Sequence, residues 1–169
     1  HQTFNGMGND VADINNDMKP DVIVVDMLPE DHYREKTMIG NNNYDQYLLT
    51  KISGYEEQYV RNTLQLNRGN NPDGSIDFSE ISFFSGISST DWSWAPLFAD
   101  FDNDGWKDLF ISNGYRKDVT NLDYITYSKN FGDQSYFGSQ TKYQASEDYD
   151  MKDLESVPEV KIHNYMYHN

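Results

Sequence analysis

The stretch Asp100-Phe101-Asp102-Asn103-Asp104-Gly105-Trp106-Lys107-Asp108 has the spacing of a loop that binds a divalent cation. A hard ion such as Ca²⁺ takes about 6–8 oxygen ligands, and a short loop supplies them when side chains at alternate positions converge. Gly105 permits a sharp turn because it has no Cβ. The predicted ligands are Asp100, Asp102, Asp104, the Trp106 carbonyl and Asp108. An acidic surface turn is the alternative, since Asp, Asn and Gly also favour turns.

An EF-hand shares the first half of this pattern but needs a bidentate Glu at loop position twelve. That position is Ile111, which lies in the apolar run 109–111 directly after the last acidic residue. A second apolar run, residues 97–99, precedes the loop. Both runs are short and are typical of strands. The sequence therefore predicts a strand–cation–strand hairpin.

The same pattern occurs a second time, 87 residues earlier, in the stretch Asp13-Ile14-Asn15-Asn16-Asp17-Met18-Lys19-Pro20-Asp21. It is followed by Val22-Ile23-Val24-Val25, a run rich in β-branched residues that predicts a strand. This copy has Asn15 in place of a carboxylate and Met18 where the later loop has glycine. Its predicted ligands are Asp13, Asn15, Asp17, the Lys19 carbonyl and Asp21. Such an internal repeat is a signature of repeat architectures.

A segment bounded by asparagines also occurs twice, at residues 62–67 and 164–169. Alternating apolar residues between the asparagines predict a strand in each copy. The interval between loop and segment is longer in the second copy, which predicts an insertion of roughly residues 118–158. We expect two repeat units, residues 1–89 and residues 90–169.

Between these features the sequence predicts a short helix at residues 45–52 and a hairpin from residue 62 to residue 84. Trp92 and Trp94 are separated by one Ser, so a strand would place both indole rings on the same face. There they either pack between sheets or form a platform for sugar rings. His32 with Glu30, Asp31 and Arg34 is interpreted as a solvated turn.

The insertion shows no sustained period but is rich in aromatic residues. Such a long excursion is either a binding loop or a cover over neighbouring structure. The aromatic residues are Tyr124, Tyr127, Phe131, Tyr136, Phe137, Tyr143 and Tyr149.

Composition limits the possible functions. The 169 residues are 15% aromatic and 37% hydrophobic, with a net charge of -15 and a mean hydropathy of -0.83. No basic cluster is available for phosphate contacts, so nucleic acid is not an expected partner.

The absence of Cys excludes disulfides and thiolate zinc sites. No apolar run reaches the roughly 18–20 residues of a membrane-spanning helix. We expect the chain to be part of a longer protein, because it opens at His1.

The two acidic loops with their flanking strands resemble the FG-GAP or VCBS repeat of integrin-type β-propellers, most closely over residues 98–109. The resemblance implies an all-β fold: a partial β-propeller of tandem four-stranded antiparallel blades, with a polar, irregular insertion. It also implies structural Ca²⁺ at two sites, one in each loop. Polar repeat chains of this kind are similar to surface lipoproteins of Bacteroidota, often found beside outer-membrane nutrient-uptake systems.

These observations lead us to expect a calcium-stabilised propeller segment of a secreted or cell-surface protein. It would act as a binding or assembly module for a protein partner or a glycan, for example as an accessory of an outer-membrane transporter complex. The alternative is part of a propeller-based polysaccharide-degrading enzyme. No catalytic residue is predicted, because the sequence shows no activated nucleophile and the four His are not at metal-ligand spacing.

Overall fold

A computed structural model describes residues 2–38, 44–131, 155 and 157–169. In this part of the chain, short strands predominate and three helices connect them. The elements in chain order are β1 (Gln2–Thr3), β2 (Gly8–Ala12), β3 (Asp21–Val25), α1 (His32–Thr37), α2 (Tyr44–Ile52), β4 (Gln58–Tyr59), β5 (Thr63–Asn70), β6 (Ile76–Glu80), β7 (Ser93–Ala99), β8 (Asp108–Asn113), α3 (Leu122–Phe131) and β9 (Tyr165–Tyr167).

Two antiparallel sheets repeat the same order of strands. The first has four strands in the order β2-β3-β5-β6, and the second has three described strands in the order β7-β8-β9. In each sheet an acidic loop joins the first two strands, and the predicted asparagine-bounded strand pairs with the strand after the loop. A short parallel pair, β1 and β4, lies outside them. The all-β fold with strand–loop–strand hairpins is therefore confirmed, whereas the division into residues 1–89 and 90–169 stays a prediction.

The core lies between the two sheets. Alternate residues of β3 are buried, as expected for a strand with one face on a core. Ile23 and Val25 of β3 pack with Leu64 of β5 and with Leu109 and Ile111 of β8. Each such side chain contributes about 1.5–3 kcal/mol when it is fully removed from water. The two repeats therefore share one hydrophobic core.

Strand β2 lies directly against β7, and this contact places the two loops side by side. A Cβ at Gly8 would collide with the backbone of Trp94, so only glycine allows the approach. Asp10 fixes the contact, because its Oδ2 accepts the backbone N–H of Phe98 at 2.7 Å. Pro96 is tolerated because β7 is an edge strand of its sheet.

The helix predicted at residues 45–52 is confirmed as α2. The other two helices were missed, including α3 in the stretch that the sequence indicated to be irregular. Each begins at a polar cap: Asp31 Oδ1 accepts from Arg34 N at 2.8 Å, and Asn121 Oδ1 accepts from Asp123 N at 2.9 Å. Tyr136, Phe137, Tyr143 and Tyr149 of the predicted insertion lie outside the described residues.

The sheets have two distinct ends. At the loop end, Asn16 Nδ2 of the first loop donates to the Gly105 carbonyl of the second at 3.2 Å. At the opposite end, which we call the excursion end, the long connections β3–β5 and β8–β9 meet through a bridge between Met38 and Asn121. None of the helices that the structure describes has both the length and the apolar character needed to span a lipid bilayer.

Candidate metal centre

The second loop, residues 100–108, is held by hydrogen bonds from its own backbone to its carboxylates. Asp100 Oδ1 accepts from Asp104 N at 3.0 Å, and Asp100 Oδ2 accepts from Gly105 N at 2.9 Å. Asp102 and Asp104 accept from backbone N–H groups in the same way, at 3.2 and 2.8 Å. Backbone dipoles therefore hold the carboxylates together on one side of the loop, which offsets part of their mutual repulsion.

The first loop, residues 13–21, has the same set of hydrogen bonds from its backbone to its own side chains. Its four equivalent hydrogen bonds measure 3.0, 3.2, 2.7 and 2.9 Å. The backbone conformation also matches, since Asn16 and Met18 have φ angles of 58° and 65° where Asn103 and Gly105 have 63° and 93°. Met18 therefore does not alter the turn. The internal repeat is confirmed at the level of individual hydrogen bonds.

Met18 adopts the left-handed conformation that glycine adopts in the other loop, and we expect Met18→Gly to stabilise the protein. That conformation costs a residue with a Cβ about 1–2 kcal/mol, and glycine gives back roughly half through its freer unfolded chain. Met18 is 93% exposed, so no packing is lost. Chemical denaturation should show a gain of about 0.5–1 kcal/mol, and the reverse change Gly105→Met should destabilise by a similar amount. A loss of stability in Met18→Gly would show that the Met18 side chain has a packing role.

The last acidic residue of each loop is buried and acts as a clamp. Asp21 is 0% exposed; its Oδ1 accepts from Asn67 N at 2.7 Å and its Oδ2 from Ile14 N at 3.0 Å. Asp108 is 2% exposed and accepts from Asn169 N and Phe101 N, each at 3.1 Å. These carboxylates therefore join the loop to the third strand of the sheet, in addition to their predicted role as ligands.

The asparagines at the other end of the third strand form a second clamp. Asn62 Oδ1 accepts from Asp26 N at 2.7 Å, and Asn164 Oδ1 accepts from Asn113 N at 2.8 Å. Asp26 and Asn113 follow the two acidic loops by the same number of residues, so these contacts are equivalent. Both asparagines of the repeated segment thus hold the third strand against the second strand.

Carboxylates of the second loop converge in two groups, Asp100 with Asp102 and Asp108, and Asp102 with Asp104 and His168. The ligand atoms within each group lie within 4.8 Å of one another. Two oxygens on one Ca²⁺ are at most about 5 Å apart, because each bond is 2.3–2.6 Å long. The spacing of both groups therefore suits a single bound cation. Trp106 and Lys19 occupy equivalent loop positions, and their carbonyls stay predicted ligands.

Sequence reasoning missed His168, which reaches the second loop from the third strand. Its Nε2 lies 2.9 Å from Asp102 Oδ2 and 3.7 Å from Asp104 Oδ2. The hydrogen bond to Asp102 raises the pKa of His168. The sequence did contain a signal: in the repeated segment, His168 stands next to Asn169 at the position that Leu66 occupies in the first copy.

The first loop contains a cation of its own. Lys19 Nζ lies 3.0 Å from Asp17 Oδ2, and this hydrogen bond lowers the pKa of Asp17. The Lys19 stem passes Gly69 of β5, where a Cβ would lie 3.3 Å from Lys19 Cε. Gly69 has a φ of 98° and sits at a register shift between β5 and β6, so the strand makes room for the lysine.

A polar network at the excursion end corrects the interpretation of Arg34 as part of a solvated turn. Its side chain is 19% exposed and binds both carboxylate oxygens of Asp91, at 2.7 and 3.0 Å. It also donates to the Tyr115 hydroxyl at 2.8 Å and lies 3.5 Å from Asp118. Burial opposes the charge, but the hydrogen bonds to Asp91 and Tyr115 outweigh it and raise the pKa of Arg34. Three separate segments are joined by this one side chain.

The tryptophan pair lies beside this network. The two indole centroids are 6.4 Å apart, and the Trp92 ring meets Tyr115 edge-on at 5.1 Å. Trp94 Nε1 donates to the Gly114 carbonyl at 2.6 Å, while the side chain keeps 47% of its surface exposed. Trp92 therefore packs against Tyr115, whereas about half of the Trp94 side chain is exposed to solvent.

Residues 41–111 match the family model of the FG-GAP-like repeat. The matched segment runs from α2 through the second loop to Ile111 of β8, so it includes the acidic stretch that the sequence singled out. Neither the curated proteins nor the solved structures include a significant match to the chain.

Proposed function

We propose, from the match of residues 41–111 to the FG-GAP-like repeat, that the chain is a calcium-stabilised module of a β-propeller type that binds a partner at the surface of a cell. The carrying observation is the convergence of Asp100, Asp102 and Asp108 in the second loop. Oxygen ligands at this spacing suit Ca²⁺, and a bound ion would neutralise part of the net charge of -15. The ion would have a structural role, because it pins the β7–β8 hairpin.

An extracellular or cell-surface setting is part of the proposal, because a weak calcium site needs millimolar Ca²⁺ to be filled. Extracellular calcium modules bind with dissociation constants of about 10⁻⁴–10⁻³ M, and they fill only where Ca²⁺ is millimolar. Most of the second loop is exposed at the surface, whereas Asp108 is buried and Asp100 and Lys107 are half-buried; this exposure supports an affinity in this range. A place beside an outer-membrane transporter is the more specific form of the proposal, and it rests on the resemblance of the repeats alone.

The excursion end is the proposed partner-binding surface. Its first connection carries large apolar side chains that are mostly exposed, and exposed apolar groups on ordered elements are typical of interaction sites. The Arg34 network holds α1 against Asp91 and the segment from Tyr115 to Asp118, so a partner would find this part of the surface preformed. Aromatic side chains suit either a protein or a glycan. The exposed side chains are Tyr33 (72%), Tyr44 (71%), Leu49 (64%), Ile52 (80%) and Tyr55 (68%).

Thermal unfolding of the chain in Ca²⁺ and in a chelator tests the proposal. A ligand present at about 100 times its dissociation constant stabilises the folded state by roughly 2.7 kcal/mol. For a protein of this size, we expect the Tm to rise by about 5–10 °C in Ca²⁺. Asp104→Ala should abolish this shift, because it removes a ligand that has no clamp role.

Asp77→Ala is the matched control, since Asp77 is an exposed acidic residue of β6 and is not part of the second loop. It should leave the calcium shift unchanged. Equal melting curves of the unmodified chain in Ca²⁺ and in chelator would show that the second loop is only an acidic turn, and the proposal would then be wrong.

A further inference from the structure

We infer that the two loops differ in metal binding: the second takes a divalent cation, whereas the first is closed by the ammonium group of Lys19. The inference rests on the proposed function for the second loop and extends it to the number of ions. The sequence predicted a calcium site in each loop, with a lower affinity in the first; the inference departs from that prediction.

The backbone conformation cannot cause the difference in metal binding, because the backbone of both loops makes the same hydrogen bonds. Their equivalent hydrogen bonds agree within about 0.2 Å, and the last acid of each is buried in the same clamp. What differs is charge. Asp102, the acid that both convergent groups share, is Asn15 in the first loop. The first loop therefore offers three carboxylates against four in the second.

Lys19 reduces the charge of the first loop further. Its Nζ lies 3.0 Å from Asp17 Oδ2, so it binds an oxygen that a metal would need. The equivalent residue of the second loop, Trp106, carries no charge. His168, which lies beside Asp102, can bind a metal through its neutral imidazole, as an ammonium group cannot. A unit positive charge about 4 Å from a divalent ion in a water-like medium weakens its binding roughly 30-fold. With a starting dissociation constant of about 10⁻⁴–10⁻³ M, millimolar Ca²⁺ would no longer fill the first loop.

The neighbouring strand leaves room for the lysine side chain. Its aliphatic stem lies along Gly69 at the register shift of β5, where any larger residue would crowd Lys19 Cε. An exposed ion pair adds little stability by itself. Its role here is to occupy the carboxylate of Asp17, and the glycine at the bulge leaves space for the lysine stem that reaches it.

Counting bound Ca²⁺ per chain by equilibrium dialysis at 1 mM Ca²⁺ tests the inference. We expect one ion for the unmodified chain, none for Asp104→Ala and two for the double variant Asn15→Asp/Lys19→Gln. Titration of that variant should show the new site, which Asp17→Ala in the same background removes. The conservative control Asn15→Asp/Lys19→Arg keeps the positive charge and should bind one ion.

The outcomes separate this inference from the proposed function. No bound ion in the unmodified chain would overturn the calcium proposal and the inference with it. Two ions in the unmodified chain, reduced to one by Asp17→Ala, would leave the calcium proposal intact and overturn the inference. One ion in Asn15→Asp/Lys19→Gln would overturn the role assigned to Lys19. Melting curves of all variants in chelator establish that each is folded before its ions are counted.

Discussion

Asp21→Ala is expected to destabilise the protein by about 3 kcal/mol, even in the absence of any metal. The carboxylate is 0% exposed and accepts the backbone N–H groups of Ile14 and Asn67. Removing it leaves one buried and one partly buried donor unpaired, and a buried donor costs about 1–3 kcal/mol. For a protein of this size, the Tm should fall by about 6–12 °C when measured in chelator.

Two further variants make the Asp21 result specific. Asp21→Asn keeps one acceptor oxygen and should lose an intermediate amount of stability. Asp17→Ala removes a carboxylate of the same loop that is 31% exposed in its side chain, and it should cost much less. If Asp21→Ala and Asp17→Ala were equally stable in chelator, Asp21 would be no more than another loop carboxylate and the clamp would be refuted.

Arg34→Ala is expected to cost about 3 kcal/mol, because it leaves the buried carboxylate of Asp91 without its partner. Asp91 is 6% exposed, and breaking a buried ion pair from one side is typically worth 3–5 kcal/mol. The Tyr115 hydroxyl also loses one of its hydrogen-bond partners. Hydrogen exchange should show faster exchange in α1 and in the segment from Tyr115 to Thr120, since Arg34 is their shared contact.

Lys36→Ala is the matched control on the same helix, since its side chain is 61% exposed and, within the part of the chain that the structure describes, forms its ion pair with the neighbouring Glu35. It should change stability by less than about 0.5 kcal/mol. Arg34→Lys keeps the charge but loses the bidentate contact with Asp91. Its stability should therefore lie between those of Arg34→Ala and Lys36→Ala. Equal stabilities of Arg34→Ala and Lys36→Ala would show that the network does not hold the excursion end together.

The local features of this fold could be predicted from the sequence. The acidic loops, the strands that follow them and the asparagine-bounded strands are set by short patterns: ligand spacing, a turn residue and alternation of apolar residues. The repetition of these patterns predicted that the two copies would have the same connections, and the pairing of β3 with β5 and of β8 with β9 confirms it. Helix α2 was found by its period. Helix α1 was missed because it has only six residues, and α3 was missed because the aromatic-rich insertion that contains it shows no sustained period over its whole length.

Residue roles that depend on distant partners were decided only by the tertiary structure. Asp108 is a clamp because Asn169, 61 residues later, lies against it, and His168 reaches Asp102 across 66 residues. Arg34 is an ion-pair residue because Asp91, 57 residues away, is packed at the same end of the sheets.

A pattern within nine residues can specify a loop, because its hydrogen bonds are made within the loop itself. It cannot specify which strand lies beside that loop. That choice depends on burying Ile23 against Ile111 and on the close approach of Gly8 to β7. The sequence by itself therefore determined the two acidic loops and their equivalence. The packing of the sheets determined that Asp21 and Asp108 are clamps, that Lys19 lies beside Asp17 at the Gly69 bulge, and that Arg34 joins the two excursions.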